Sequence, residues 1–233
     1  IWTIMRLFLA TIILLLFSIN VNSQIENLQN FDQKKIHFGY FVGFNQYNYK
    51  LDYKNNPNKR TLIKQKAGLN VGLIADLKLN ENLNLRFEPG LYTNKSDVIF
   101  YDRAKFSQNS DTIRSIKSTY VHLPILLKYS AKRYNNLRPY ILGGLSTSFN
   151  LSSNQNNPED NSNGTFRLKT NTFYYELGIG IDFYLQYFKF SPSIRGVFSL
   201  KDELVQDTEL DSPWTGNIQK MSARGIFLNL SFH

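Results

Sequence analysis

Ten ionisable residues, Asp76, Lys78, Arg86, Glu88, His122, Lys128, Glu176, Asp182, Arg195 and Arg224, stand among glycines, asparagines and serines, as if belonging to a polar interior. Catalysis, metal ligation and ion pairing are the chemistries open to such a set. Nucleophilic catalysis needs a base, usually His, within reach of a Ser or Thr. The chain has three His: His37 near a strand start, His122 beside Pro124 with no nucleophile motif around it, and His233 at the end. Metal ligation is equally poor, with no Cys and no two His at a ligand spacing on one face. No catalytic, cofactor-binding or metal residue is therefore expected, and no small-molecule substrate. Ion pairing remains, because a buried charge must be paired or hydrogen-bonded. Asp76, Arg86, Glu88, His122, Lys128, Glu176, Asp182, Arg195 and Arg224 are expected to form a structural network, with a proton or solute path as the sharper alternative.

The elements that must position these residues are strands with period-2 alternation. Ile36, Phe38, Tyr40, Val42 and Phe44 oppose His37, Gly39, Phe41, Gly43 and Asn45. Leu69, Val71, Leu73 and Leu77 oppose Asn70, Gly72, Asp76 and Lys78, and after Asn80-Glu81-Asn82 the series Leu83, Leu85, Phe87, Leu91 opposes Asn84, Arg86, Glu88, Gly90. Val121, Leu123, Ile125, Leu127 and Tyr129 oppose Tyr120, His122, Pro124 and Lys128. A fifth segment, Arg138 to Leu151, has mixed faces interrupted by Gly143-Gly144. The sixth sets Phe173 to Leu185 against Glu176 and Asp182, the seventh sets Phe188, Phe190 and Ile194 against Lys189, Ser191, Ser193 and Arg195, and the eighth ends on Ile226, Leu228, Leu230 and Phe232.

Long polar loops at 48–65, 93–116, 152–170 and 201–219 alternate with short connections at 80–82, 130–137 and 186–187. That asymmetry, with bulky apolar faces opposing Gly, Asn and Ser, predicts an all-β, eight-stranded antiparallel transmembrane β-barrel of outer-membrane type, with both termini periplasmic. A soluble sandwich would instead need a well-charged outer face. An open sheet is excluded in lipid, because its edge amides would be unpaired. Mean hydropathy of −0.33 is no objection, since alternation averages the two faces.

Met5-Arg6, the apolar run Leu7 to Ile19 and Val21-Asn22-Ser23 predict a signal peptide over 1–23 and a barrel domain over 24–233. The run is short for a transmembrane helix, which needs about 20 apolar residues. Ile1 to Thr3 precede the first Met and read as an extended gene boundary. The net charge of +9 invites nucleic acid, but an exported chain rarely meets it, so no nucleic-acid partner is expected. The loop at 48–65 is basic and that at 201–219 acidic.

Arg86-Phe87-Glu88-Pro89-Gly90-Leu91, Tyr120-Val121-His122-Leu123-Pro124, Leu127-Lys128-Tyr129, Lys132-Arg133, Asn135-Asn136, Arg138-Pro139-Tyr140 and Gly143-Gly144 together resemble the PorT family of outer-membrane β-barrels. The resemblance implies a non-catalytic component of the type IX secretion system, supporting export of cargo proteins and gliding or surface adhesins. It implies outer-membrane lipid and other secretion-system proteins as partners, and no catalytic residues are carried over. The basic turn Lys132, Arg133 and Arg138 is a candidate contact for a periplasmic partner or acidic lipid. The alternative is a structural or binding barrel unrelated to secretion.

Overall fold

The computed structural model describes residues 26–55, 61–100, 106, 112–153, 167–207 and 212–233; the expected signal peptide lies outside them. The described residues form nine strands: β1 (Ile36–Tyr53), β2 (Leu62–Lys78), β3 (Leu83–Phe87), β4 (Gly90–Ile99), β5 (Ile113–Ser130), β6 (Leu137–Asn150), β7 (Asn171–Tyr184), β8 (Lys189–Ser199) and β9 (Ile218–Phe232). β3 and β4 are one strand interrupted at Glu88-Pro89, both pairing with β2 on one side and β5 on the other. Proline cannot donate to a ladder, and the break is bridged by Leu73 N–H donating to the Pro89 carbonyl at 2.9 Å. Each member pairs antiparallel with its neighbours, and β1 pairs with both β2 and β9. The result is a closed ring of eight.

The short turns are fixed by asparagines. Asn80 Oδ1 accepts the N–H groups of Asn82 and Leu83 at 2.9 and 2.8 Å. Between β5 and β6, Tyr134 and Leu137 exchange both backbone hydrogen bonds around Asn135, whose φ of 52° is the left-handed region that Asn tolerates.

The outer surface over most of the barrel height is apolar. Phe38 is 75% exposed, Leu73 65%, Ile179 64% and Ile226 63%. Such exposure of bulky side chains is a band that water does not tolerate but hydrocarbon does. On β5 it runs from Val121 to Tyr129, a stretch of about nine residues, as a tilted strand needs to cross a bilayer's apolar layer.

Toward the long loops the strands run further than the alternation of the sequence indicated. Residues 48–53, 62–65, 93–99 and 113–116, expected as loop, are ladder. The physical reason is an inversion of polarity. In these extensions apolar Tyr49, Val98 and Ile116 turn inward beside Asn94, Ser96 and Arg114, and the charged Lys50, Lys64 and Lys95 turn outward.

Candidate functional site

The interior has two layers. Toward the short turns it is ionic. Arg86 binds Asp76 at 2.7 Å and Glu88 at 3.2 Å; Arg195 binds Glu88 at 2.5 Å and Glu176 at 3.0 Å; Glu176 accepts from His122 Nε2 at 2.7 Å. Lys128 binds Asp182 at 2.6 Å, and Lys189 stands 3.9 Å from the same carboxylate. All are essentially removed from solvent. Four carboxylates thus face four cations. Buried charge is tolerated only with such pairing.

Above the ions lies an aromatic layer of Phe41, Tyr47, Tyr49, Tyr92, Tyr120, Tyr174 and Phe227. Two glycines make it possible. A Cβ at Gly72 or Gly90 would stand 2.6 or 2.8 Å from the Phe41 ring, so only glycine lets that ring lie flat across the lumen.

Of the expected network, Asp76, Arg86, Glu88, His122, Lys128, Glu176, Asp182 and Arg195 come together. Arg224 does not, and its expected lumen position is corrected: it is exposed on the face it shares with Ile226 and Leu228, because residues two apart share a face. Lys189 is a member that the expectation left out, although its alternation with Ser191 and Arg195 signalled it. Lys78 sits at the rim and donates to the Asp32 carbonyl at 2.7 Å.

The turn-side end is closed by residues 26–33, a segment the sequence reading passed over. Tyr184 Oη donates to the Asp32 carboxylate at 2.8 Å, His37 Nε2 lies 2.7 Å from the Phe31 carbonyl, and Phe31 stacks on His37 with centroids 4.3 Å apart. Arg133 donates to the carbonyls of Asn27, Leu28 and Asn135 and lies 3.8 Å over the Tyr184 ring. Arg138 donates to the carbonyls of Ala131 and Glu81 and stands 3.5 Å from Asp32. Arg133 and Arg138 are therefore held within the chain, and Lys132 is the exposed cation of that turn.

One constellation has a catalytic look. His122 Nδ1 is 2.5 Å from Ser148 Oγ while its Nε2 meets Glu176, the order of a serine hydrolase triad. Ser148 comes from β6 and Glu176 from β7, so sequence spacing gave no sign of it. His122 is 0% and Ser148 1% exposed, the rings of Tyr92, Tyr174 and Phe227 stand around the imidazole, and Glu176 is shared with Arg195. A substrate carbonyl has no path to Oγ. The hydrogen bonds orient His122 and tie β5, β6 and β7 together. Among the described residues no group of three or more His, Asp or Glu is placed to hold a metal ion.

The family described as outer membrane protein beta-barrel domain matches residues 22–205. The chain belongs to that family. As an outer-membrane β-barrel it sits in the cell outer membrane, with its apolar band against lipid. A search of curated protein sequences found no match. The chain is similar in structure to OprG of Pseudomonas aeruginosa, with 12% identity over 84% of this chain and 93% of that one and a TM-score of 0.49. Neisserial surface protein A gives 9% identity, 82% and 95% coverage and 0.43; Ail of Yersinia pestis gives 11%, 85% and 99%, and 0.40.

Proposed function

We propose that this outer-membrane barrel is a sealed, non-catalytic component of the type IX secretion system, supporting export of cargo proteins and of gliding or surface adhesins. The observation that carries the first half is the lumen, crossed by the ladder Asp76–Arg86–Glu88–Arg195–Glu176–His122 and roofed by Phe41, Tyr92 and Phe227. A bore filled in this way conducts nothing, so the barrel acts through its surfaces. The secretion role rests on the PorT-like residues from Arg86 to Gly144. In this reading both termini and the Lys132 turn face the periplasm and secretion-system partners, while the long loops face outward.

Deleting the gene and measuring the secretome tests the role. Loss of cargo bearing the type IX C-terminal signal is expected; unchanged export would turn the reading into that of a structural or binding barrel unrelated to secretion. Planar-bilayer recordings of the purified chain are expected to show no stable conductance, and a steady open channel would overturn the sealed lumen.

A further inference from the structure

On the outer face of β2, β4 and β5 the ladder sets three lysines side by side, Lys66 opposite Lys95 and Lys95 opposite Lys117. Directly opposed residues carry Cβ atoms ~5 Å apart, and like charges there repel. A bulge creates the row. The β2–β4 register shifts between Lys66 and Asn70. Below the shift Ala67, Leu69 and Val71 face out; above it Leu62, Lys64 and Lys66 lie on that side. In an unbroken ladder Lys66 would share the inward face of Gly68 and Asn70. Bulges re-aim side chains in this way.

The row continues around the barrel. Arg224 on β9 lies opposite Asn48, and Lys50 on β1 lies opposite Ser222, both exposed. These two cations line a recess of about 820 Å³ with Asn48, Thr61 and Gln65, next to the point where β1 and β2 part above the pair Gln46–Ala67. Two carboxylates stand in the belt: Asp97, bound by Lys66 at 2.5 Å, and Asp52, 3.2 Å from Lys50. The five cations Lys50, Lys66, Lys95, Lys117 and Arg224 outnumber them.

The height of the belt identifies what it meets. Rising along β4 and β5, the outward pairs are Leu91 with Val121, then Thr93 with Thr119, then Lys95 with Lys117. Each step is ~6.7 Å of strand, so the lysines stand about 13 Å along the ladder from the edge of the apolar band. A hydroxyl step followed by an ammonium step is the polarity profile of a bilayer interface. Phosphates occupy that level, and long lysine stems reach toward them. The opposite arc carries Phe149, Phe173 and the stacked pair Tyr175–Phe198, with Lys201 4.6 Å over the Phe173 ring and Lys169 paired with Asp202.

We propose that this belt is a binding site for the phosphate groups of membrane lipid headgroups on the side of the long loops, engaging anionic lipid through the opposed lysine row of β2, β4 and β5. The proposal rests on membrane insertion and is independent of the secretion role.

The test uses the full chain refolded at low ionic strength into phosphatidylcholine vesicles and into phosphatidylcholine–phosphatidylglycerol vesicles, with thermal unfolding read on unheated gels. Wild type is expected to gain a Tm rise of about 5 °C in the anionic vesicles. The double variant Lys95→Gln/Lys117→Gln is expected to lose most of that rise, while in neutral vesicles it is as stable as wild type or more so, since an opposed like-charge pair is gone. Lys132→Gln, at the other end of the barrel, keeps the rise. Inorganic phosphate added to neutral vesicles leaves Tm unchanged; a rise there equal to that given by anionic lipid would mean a free-anion site and overturn the lipid assignment. Retention of the full rise by the double variant, its loss in Lys132→Gln, or an indifference of wild type to vesicle charge, as a site for an acidic protein would give, each overturns the proposal.

Discussion

Two halves of the same strands obey opposite rules. Between the turns and the middle of the barrel, β4 and β5 turn Leu91, Ile125 and Leu127 outward and Arg86, Glu88, His122 and Lys128 are held inside the ring. A few residues further along, the same strands turn Lys95 and Lys117 outward and Val98 and Ile116 inward. The backbone ladder does not change across the boundary. What changes is the solvent: hydrocarbon below and water above. The lower half satisfies burial by pairing charges, whereas the upper half packs Val98 and Ile116 beside uncharged groups hydrogen-bonded to one another, such as Asn94 with Tyr49.

The largest break of this contrast is in the lower half. Arg86→Met leaves Asp76 and Glu88 without their shared cation, and an unpaired buried charge costs about 3–5 kcal/mol. The folded fraction in denaturant titration is expected to collapse, and adding Asp76→Asn and Glu88→Gln is expected to restore much of it. A triple variant no better than the single one would mean that shape, not charge, is what Arg86 supplies.

Reciprocal exchanges sharpen the boundary. Ile125→Lys puts an ammonium into the apolar band and is expected to cost about 2–4 kcal/mol, less if the stem reaches the interface. Lys117→Ile, on the same face of the same strand above the band, is expected to stay within about 0.5 kcal/mol in neutral vesicles. Equal costs at the two sites would erase the boundary.

Among the described residues the upper core holds the acid Glu203, in the loop after β8. It is 1% exposed, and burial pushes its carboxyl up to about 7. Since the folded state holds this proton more tightly than the unfolded one, its contribution is present below about pH 4.5 and is lost as pH rises through about 7. Wild type is therefore expected to lose up to about 3 kcal/mol across that window relative to Glu203→Gln. Parallel pH profiles of unfolding for the two proteins would show that Glu203 ionises freely in the fold.

Legibility in the sequence follows the same boundary. Phe38, Leu73, Ile179 and Leu228 announced the lipid face because hydrocarbon demands bulky apolar residues at every second position. Asp76, Arg86, Glu88, Glu176 and Asp182 announced the lumen because their alternation partners were apolar. The charge of Arg224 points to the lumen while its parity with Ile226 points outward, and parity decides, because residues two apart share a face. The strand ends around Lys50, Lys66, Lys95 and Lys117 looked like loop because charged residues outward and Tyr49, Val98 and Ile116 inward reverse the pattern established below. The closure by residues 26–33 left little pattern, since Arg133 and Lys78 hold backbone carbonyls that any residue would present.

The smallest effect separates the two halves by sign. The Tyr47 ring is 1% exposed, stacks on Tyr120 at 5.8 Å and meets Phe227 edge-on at 5.3 Å, yet its buried hydroxyl finds no hydrogen-bond partner among the described residues. Here the ring is what packs, and the hydroxyl is an unsatisfied group whose removal costs nothing. Tyr47→Phe is expected to be neutral or to stabilise the barrel by up to about 1 kcal/mol, read as a higher denaturant midpoint with an unchanged slope. Below the boundary no carboxylate of the ladder can be spared in this way, because each is shared by two cationic or hydrogen-bonding partners; a destabilised Tyr47→Phe would put the upper layer under the same rule and remove the distinction.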